Sequence, residues 1–148
     1  MALRIKFEII TPERVVLKDE VDQITIPTAE GEITILPNHI PLIAVLRPGE
    51  IVAKKGKEEI AMSCSGGFIE VTGDKVLILA DTAEKAEELV EAEIEKAKER
   101  AQKILEEKHV DAEKYADAAA GLERELARLK VARKRSRART APSIRVEE

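Results

Sequence analysis

Near residue 80 the hydrophobic period of this chain changes from two to about 3.6, so strands and helices must follow one another along one polypeptide. Before that point Leu3, Ile5, Phe7 and Ile9 alternate with Arg4, Lys6 and Glu8, the pattern of a strand with one buried face. Short runs follow at Val15 to Leu17, Gln23 to Pro27, Glu32 to Leu36, Pro41 to Leu46 and Glu50 to Lys54. Glu58 to Ser63, Phe68 to Thr72 and Lys75 to Ala80 complete the series. Thr11-Pro12, Glu30-Gly31, Pro37-Asn38, Pro48-Gly49, Gly66-Gly67 and Gly73-Asp74 separate the runs with turn chemistry. Short strands at such regular spacing imply an antiparallel sandwich or barrel rather than a parallel sheet.

Past residue 80, Asp81 with Glu84 three places on predicts a capped helix start. Ala86, Val90, Ala97, Ala101, Ile104 and Leu105 then recur at helical spacing, and the run ends near Lys108-His109. Asp111 predicts the cap of a second helix, with Tyr115, Ala118, Leu122, Leu126 and Leu129 on one stripe. The short break between them predicts an antiparallel hairpin, each helix about 35 Å long at roughly 1.5 Å per residue. Both stripes are thin and rich in alanine, which buries little area at about 25 cal/mol per Å². The hairpin should therefore hold its folded position weakly and be able to pack elsewhere. The chain is accordingly an α+β fold, with an antiparallel β-sandwich over residues 1–83 and a two-helix hairpin over 84–135. Residues 136–148 carry Thr140, Pro142 and mixed charge without an apolar period, and read as a disordered tail.

Charge is segregated along the hairpin. Asp81 to Glu113 holds twelve acidic and six basic residues, whereas Arg124 to Arg139 holds eight basic residues and one acid, Glu125. Cations at a helix C-terminus offset its dipole, but one or two suffice for that. The excess at Arg124, Arg128, Lys130, Arg133, Lys134 and Arg135 points to an acidic partner. An acidic protein surface is favoured over nucleic acid, because aromatics are only 2% of the chain and no stacking residues interleave the cluster. No apolar run approaches the roughly 20 residues that cross a bilayer. The N-terminus lacks the apolar block of a signal peptide, and one cysteine cannot form an internal disulfide. These features read as a soluble, cytosolic chain.

Catalytic chemistry is not visible. His39 and His109 lie in different architectures with no ligand partners at zinc spacing, so no metal site is expected. Cys64 falls on a strand and reads as a buried structural thiol. Ser65-Gly66-Gly67 lacks the G-x-x-x-x-G-K-[ST] continuation of a phosphate loop, and a tight turn or sheet bend explains the glycines better. The carboxylates of the acidic helix face many directions, as on a solvated surface. One segment resists such a plain account: Gly31-Glu-Ile-Thr-Ile-Leu-Pro-Asn-His-Ile-Pro-Leu42, which fixes His39 between two prolines.

That segment, with Leu46-Arg-Pro-Gly-Glu50, Ser65-Gly-Gly-Phe-Ile-Glu-Val71 and Leu79-Ala-Asp-Thr-Ala-Glu84, resembles the epsilon subunit of bacterial F-type ATP synthase. The four motifs occur in that family's order and spacing, and the likeness extends from about residue 3 to residue 135. The resemblance implies a ten-stranded β-sandwich that binds the γ subunit and sits on the polar loops of the membrane-embedded c-ring. It implies no bond chemistry of the chain's own, and a place on the cytoplasmic face of the bacterial membrane through the complex only. By similarity, a loop carrying Glu32, Asn38 and His39 faces the c-ring and γ. Asn38 stands where the family usually has Gly, and Asn tolerates the left-handed backbone such a turn needs.

In the family the hairpin either folds on the sandwich or extends along γ, where it blocks ATP hydrolysis more than synthesis. Arg124, Arg128, Arg133 and Lys134 would then contact acidic segments of the α and β subunits, several being needed because exposed charge pairs are individually weak. Some members bind regulatory ATP on the folded hairpin. Glu84, Arg100, Arg124 and Arg128 match positions near that nucleotide, but Val90 replaces the motif's Asp and Glu93 its Arg. A carboxylate repels phosphate by roughly 1 kcal/mol at close range even at water-like dielectric. Weak ATP binding or none is expected, and no other cofactor. Besides a rotary-stalk adaptor and brake, the residues allow a generic β-sandwich and coiled-coil interaction module, which would not select γ.

Overall fold

The computed structural model describes residues 3–107 and 109–140, and the tail beyond 140 lies outside the described residues. Ten strands precede the helices: β1 (Ile5–Ile10), β2 (Val15–Val21), β3 (Gln23–Thr28), β4 (Gly31–Ile35), β5 (His39–Leu46), β6 (Gly49–Lys55), β7 (Glu58–Cys64), β8 (Gly67–Gly73), β9 (Lys75–Ala80) and β10 (Ala83–Lys85). Hydrogen-bonded order runs β10-β7-β6-β3-β5-β8-β9-β1-β2, with β4 paired to β3 outside that path. Pairing is antiparallel except between β1 and β9, which run parallel with Phe7 opposite Val76 and Ile9 opposite Ile78.

Alternation places one residue set inward. Ile5, Phe7, Ile9, Val21, Ile24, Ile26, Ile35, Ile51, Met62, Ile69, Val76 and Ile78 are all buried in one cluster. Branched residues at every second position suit the pleated surface and fill the space between facing strands. The paired glycines of the sequence serve the bend expected of them. Gly66 and Gly67 have φ of 127° and 133°, and a Cβ on Gly67 would run into the carbonyl oxygen of Leu79. Cys64 is buried, which pushes its thiol up to about 11 and makes it inert at neutral pH.

The helix start expected at Asp81 is not there. Ala83, Glu84 and Lys85 instead pair with Cys64, Ser63 and Met62 of β7, so the sheet satisfies backbone groups that a helix would have satisfied internally. A single turn of 3₁₀ helix, Ala86–Glu88, follows, and α1 runs only from Glu91 to Glu106. α2 runs from Ala112 to Thr140, so residues 136–140, expected as the start of a disordered tail, continue the helix. Asp111 caps α2 as predicted, accepting the Lys114 N–H at 2.7 Å. With 16 and 29 residues the helices are unequal, about 24 and 44 Å rather than 35 Å each at roughly 1.5 Å per residue.

The segment joining sandwich to hairpin is pinned by Glu88. Its carboxylate accepts the Lys85 N–H at 2.8 Å and meets Arg14 Nη1 at 2.7 Å. Hydrogen bonding to Arg14 holds the Glu88 carboxyl below its usual range, and Lys55 with the Glu20 N–H does the same for Asp19. Both carboxyls have folded-state pKa values below their unfolded ones. Their stabilisation is therefore present above the unfolded carboxylate range and is lost as pH falls through the folded values. The urea midpoint should drop on acidification from pH 7 to pH 3, and Asp19→Asn with Glu88→Gln should flatten that drop.

Candidate functional site

Two surfaces carry chemistry beyond packing: the outer face of the sandwich and the docked hairpin. On the first, sheet register aligns Ile10, Leu79, Phe68 and Val45 across β1, β9, β8 and β5. Phe68, Val45 and Leu79 are 56%, 50% and 49% exposed, and Ile43 beside them is 75% exposed. Adjacent apolar side chains on a solvent-facing sheet mark a surface built for contact.

Glu32, Asn38 and His39 do not form one loop. Glu32 is the second residue of β4, opposite Pro27, whereas Asn38 and His39 lie beyond its far end. Four residues of strand from Glu32 to Ile35, about 10 Å at roughly 3.3 Å per residue, separate the two places. Asn38 has φ 62°, the left-handed turn expected of it. His39 stands opposite Gly73, with Nδ1 2.7 Å from the Ile40 carbonyl oxygen. Glu32 instead borders a cleft of about 500 Å³ between the sandwich and α2, opposite Glu123, Leu126 and Lys130.

The hairpin lies folded against β6 and β7. Its seam follows a heptad: Ile94, Ala97, Ala101 and Ile104 on α1 face Ala118, Leu122, Glu125, Leu129 and Ala132 on α2, spaced alternately four and three. Tyr115 and Leu126, expected on this stripe, are 52% and 46% exposed. The position between Leu122 and Leu129 belongs instead to Glu125, whose side chain is 3% exposed. A charge tolerates such burial only when paired. Glu125 takes Arg128 Nη1 at 2.7 Å and Arg124 Nη2 at 3.3 Å.

Arg128 reaches on from the seam to the sandwich. Its Nη2 donates to Glu84 Oε2 of β10 at 3.0 Å, and its Nε lies 2.9 Å from Oε1 without hydrogen-bond alignment. Burial works against the Arg128 charge, but Glu84 and then Glu125 outweigh it and raise its pKa above the ordinary arginine value. Three consecutive residues near the end of α2 then point three ways. Arg133 binds Glu91 and Glu95 of α1 at 3.2 and 2.7 Å. Lys134 binds Glu50 of β6 and Glu59 of β7 at 3.2 and 3.0 Å. Arg135 Nη1 donates to the Ala86 carbonyl at 3.2 Å.

Of the residues suggested for a nucleotide, Glu84 pairs with Arg128, and Arg128 and Arg124 both pair with Glu125, so the two arginines are neighbours. Arg100 and Arg124 border a cleft of about 300 Å³ between the helices, with Lys114, Asp117 and Gly121. Glu84 and Arg128 are committed to each other. Val90 is the extended residue before α1, and Glu93 is an exposed residue of its first turn. Among the described residues no group of three His, Cys, Asp or Glu could hold a metal ion.

Ten strands in a sandwich with a two-helix hairpin folded against β6 and β7 and tied to it by acid–base pairs define an α+β fold of two parts. Comparison with known proteins narrows the class. The family model for the ATP synthase delta/epsilon chain β-sandwich domain matches residues 4–86. The ATP synthase epsilon chain of Dehalococcoides mccartyi is 46% identical over 132 residues, covering 89% of this chain and 94% of the relative. That of Herpetosiphon aurantiacus is 44% identical over 131 residues, covering 88% and 96%. A chain of the Euglena gracilis mitochondrial ATP synthase, solved as an OSCP/F1/c-ring assembly, superposes with TM-score 0.75 at 26% identity, covering 84% of this chain and 79% of that one. A central-stalk and c-ring structure from Tetrahymena thermophila shares the fold, with TM-score 0.58 at 15% identity over 86% and 96%. The chain belongs to the ATP synthase epsilon chain family.

Sequence reasoning found the cations of α2 but missed their partners. Glu125 was visible only as the single acid in a basic run, and its place in the heptad was the available signal. Glu50 and Glu59 carried none. Glu125→Ala should destabilise the hairpin by on the order of 3 kcal/mol, the low end for a broken buried pair because Arg124 is 45% exposed. Glu125→Leu, which suits the seam, should cost less, and thermal unfolding by far-UV circular dichroism compares the two.

Proposed function

We propose that the chain is a non-catalytic central-stalk subunit of F-type ATP synthase, joining γ to the c-ring, with the hairpin as an intrinsic brake on ATP hydrolysis. The observation that carries the adaptor role is the uncovered apolar row Ile10, Leu79, Phe68 and Val45. It supplies a broad apolar contact of the kind a permanent γ partner would bury. The c-ring assembly that holds the Euglena relative supports the same setting. No described helix is long and apolar enough to cross a membrane, so association would come through the complex, at the cytoplasmic face in a bacterium. The turn at Asn38 and His39 is the place for c-ring contact in this reading, with Glu32 on the side of the hairpin.

The brake role draws on the basic second helix. Arg124, Arg128, Arg133 and Lys134 would meet acidic segments of the α and β subunits once the hairpin leaves the sandwich. Regulatory ATP has little part in this reading, because Val90 and Glu93 break the motif and Glu84 and Arg128 already neutralise each other.

ATP hydrolysis by an epsilon-depleted catalytic head carrying γ tests both roles. The full chain should bind and slow hydrolysis. A version stopped after Glu88, which keeps β10 and the Arg14–Glu88 pair, should bind without slowing it. Phe68→Asp should weaken binding at least tenfold, about 1.4 kcal/mol, because it puts a charge into the apolar contact. Millimolar ATP added to the isolated chain should leave its hairpin in place. Equal binding by Phe68→Asp would remove the sandwich face from the γ contact, and a full chain that binds without slowing would remove the brake.

A further inference from the structure

The apolar seal between hairpin and sandwich is small. Its buried cluster is Ala86, Leu89, Ile94, Leu129, Val131 and Ala132, all from the linker and the hairpin, and Ala61 of β7 is the sandwich residue packed against it. The 500 Å³ cleft opens where Ala127 faces Pro27 and Gly49, so close packing lapses there too. On either side of that gap, ion pairs do the joining. Arg128 meets Glu84, and Lys134 meets Glu50 and Glu59.

Those pairs are of two kinds. Arg133 to Glu91 and Glu95, and Arg128 to Glu125, lie within the hairpin and can travel with it. Lys134 to Glu50 and Glu59, and Arg128 to Glu84, span hairpin and sandwich and must break when the hairpin leaves. Glu50 makes the Lys134 contact more than a surface pair. Its side chain is only 10% exposed, and its Oε2 is buried with no hydrogen-bond partner among the described residues. With the hairpin docked, Lys134 is the cation that compensates it, and release returns the carboxylate to water.

We infer that Lys134, with Arg128, closes a charge latch on Glu50, Glu59 and Glu84 of the sandwich, and that the catalytic head competes with the sandwich for the same cations. The head's part in this rests on the brake reading above, whereas the latch stands on the geometry of this chain alone. Two consequences separate it from simple packing. Neutralising the sandwich carboxylates frees the hairpin and leaves its cations intact, so inhibition strengthens. Neutralising Lys134 also frees the hairpin but removes a contact to the head, so inhibition weakens.

Labels at Lys57→Cys in the β6–β7 turn and Ala138→Cys on α2 report hairpin position in the isolated full chain, by distance measurement between the two. The buried Cys64 thiol stays unlabelled at neutral pH. Raising sodium chloride from 50 mM to 1 M should increase the released fraction at least threefold without any further substitution, since screening weakens exposed pairs. Glu59→Gln, a change at an exposed side chain that leaves the core alone, should raise it at low salt, and Glu50→Gln with Glu59→Gln should raise it further. Lys134→Glu should release the hairpin, and adding Glu59→Lys should restore part of the docked population. Unchanged distances in the carboxylate variants and at high salt would overturn the latch. In the head assay the two-carboxylate variant should inhibit at about threefold lower concentration and Lys134→Gln at higher concentration. If the distances respond and inhibition does not, the latch holds, and the competition falls together with the brake.

Discussion

Arg128 is the side chain on which the two architectures of this chain depend. It leaves the hairpin seam, keeps Glu125 neutralised behind it and meets Glu84 on the last strand of the sandwich. Remove its charge and a carboxylate is stranded inside a helical seam, while β10 loses its direct tie to α2. The cost of burying Glu125 is met by two guanidiniums, Arg128 within the seam and Arg124 at its solvent edge.

This arrangement gives a hairpin that is ordered yet only lightly sealed by apolar contact. Apolar burial holds the sandwich: its core contains twelve or more branched and aromatic residues with almost no exposure, whereas the buried cluster under the helices is Ala86, Leu89, Ile94, Leu129, Val131 and Ala132. Charge pairs hold the hairpin, and charge pairs can be exchanged for other charge pairs at small net cost when the new partner is also wet. A hydrophobic seal would have to be exposed before it could be replaced. The same physics separates the two contact surfaces. The uncovered Phe68 row suits a partner that stays, whereas the cations of α2 suit one that comes and goes.

Much of the fold was legible because the strands obey a strict alternation and the turns contain Gly, Pro and Asn where the backbone needs them. Asn38 even gave its left-handed conformation in advance. The misreadings have separate causes. Ala83 to Lys85 have the local signature of a capped helix, but the free edge of β7 offers them hydrogen bonds, and a long-range partner outweighed a local preference. Ser136 to Thr140 look like tail by composition, and the helix already running through Arg135 carries them along, since propagation is cheap once nucleation is done. Tyr115 and Leu126 were assigned to the stripe by apolar character, whereas the heptad register chose Glu125 and left them exposed.

The sequence alone determined the two-part architecture, the strand order along the chain, the basic character of α2 and membership of the epsilon family, because each is written in periods and motifs a few residues long. Only the tertiary structure decided where those cations go. Lys134 is 84 residues from Glu50, and Arg128 is 44 from Glu84. Ion pairs at such separations leave no local pattern, since any exposed acid could have served, and the docking of α2 on β6 and β7 selects which ones do. It likewise placed Glu32 beside the hairpin and Asn38 with His39 at the far end of β4, because a strand, unlike a loop, holds its two ends apart.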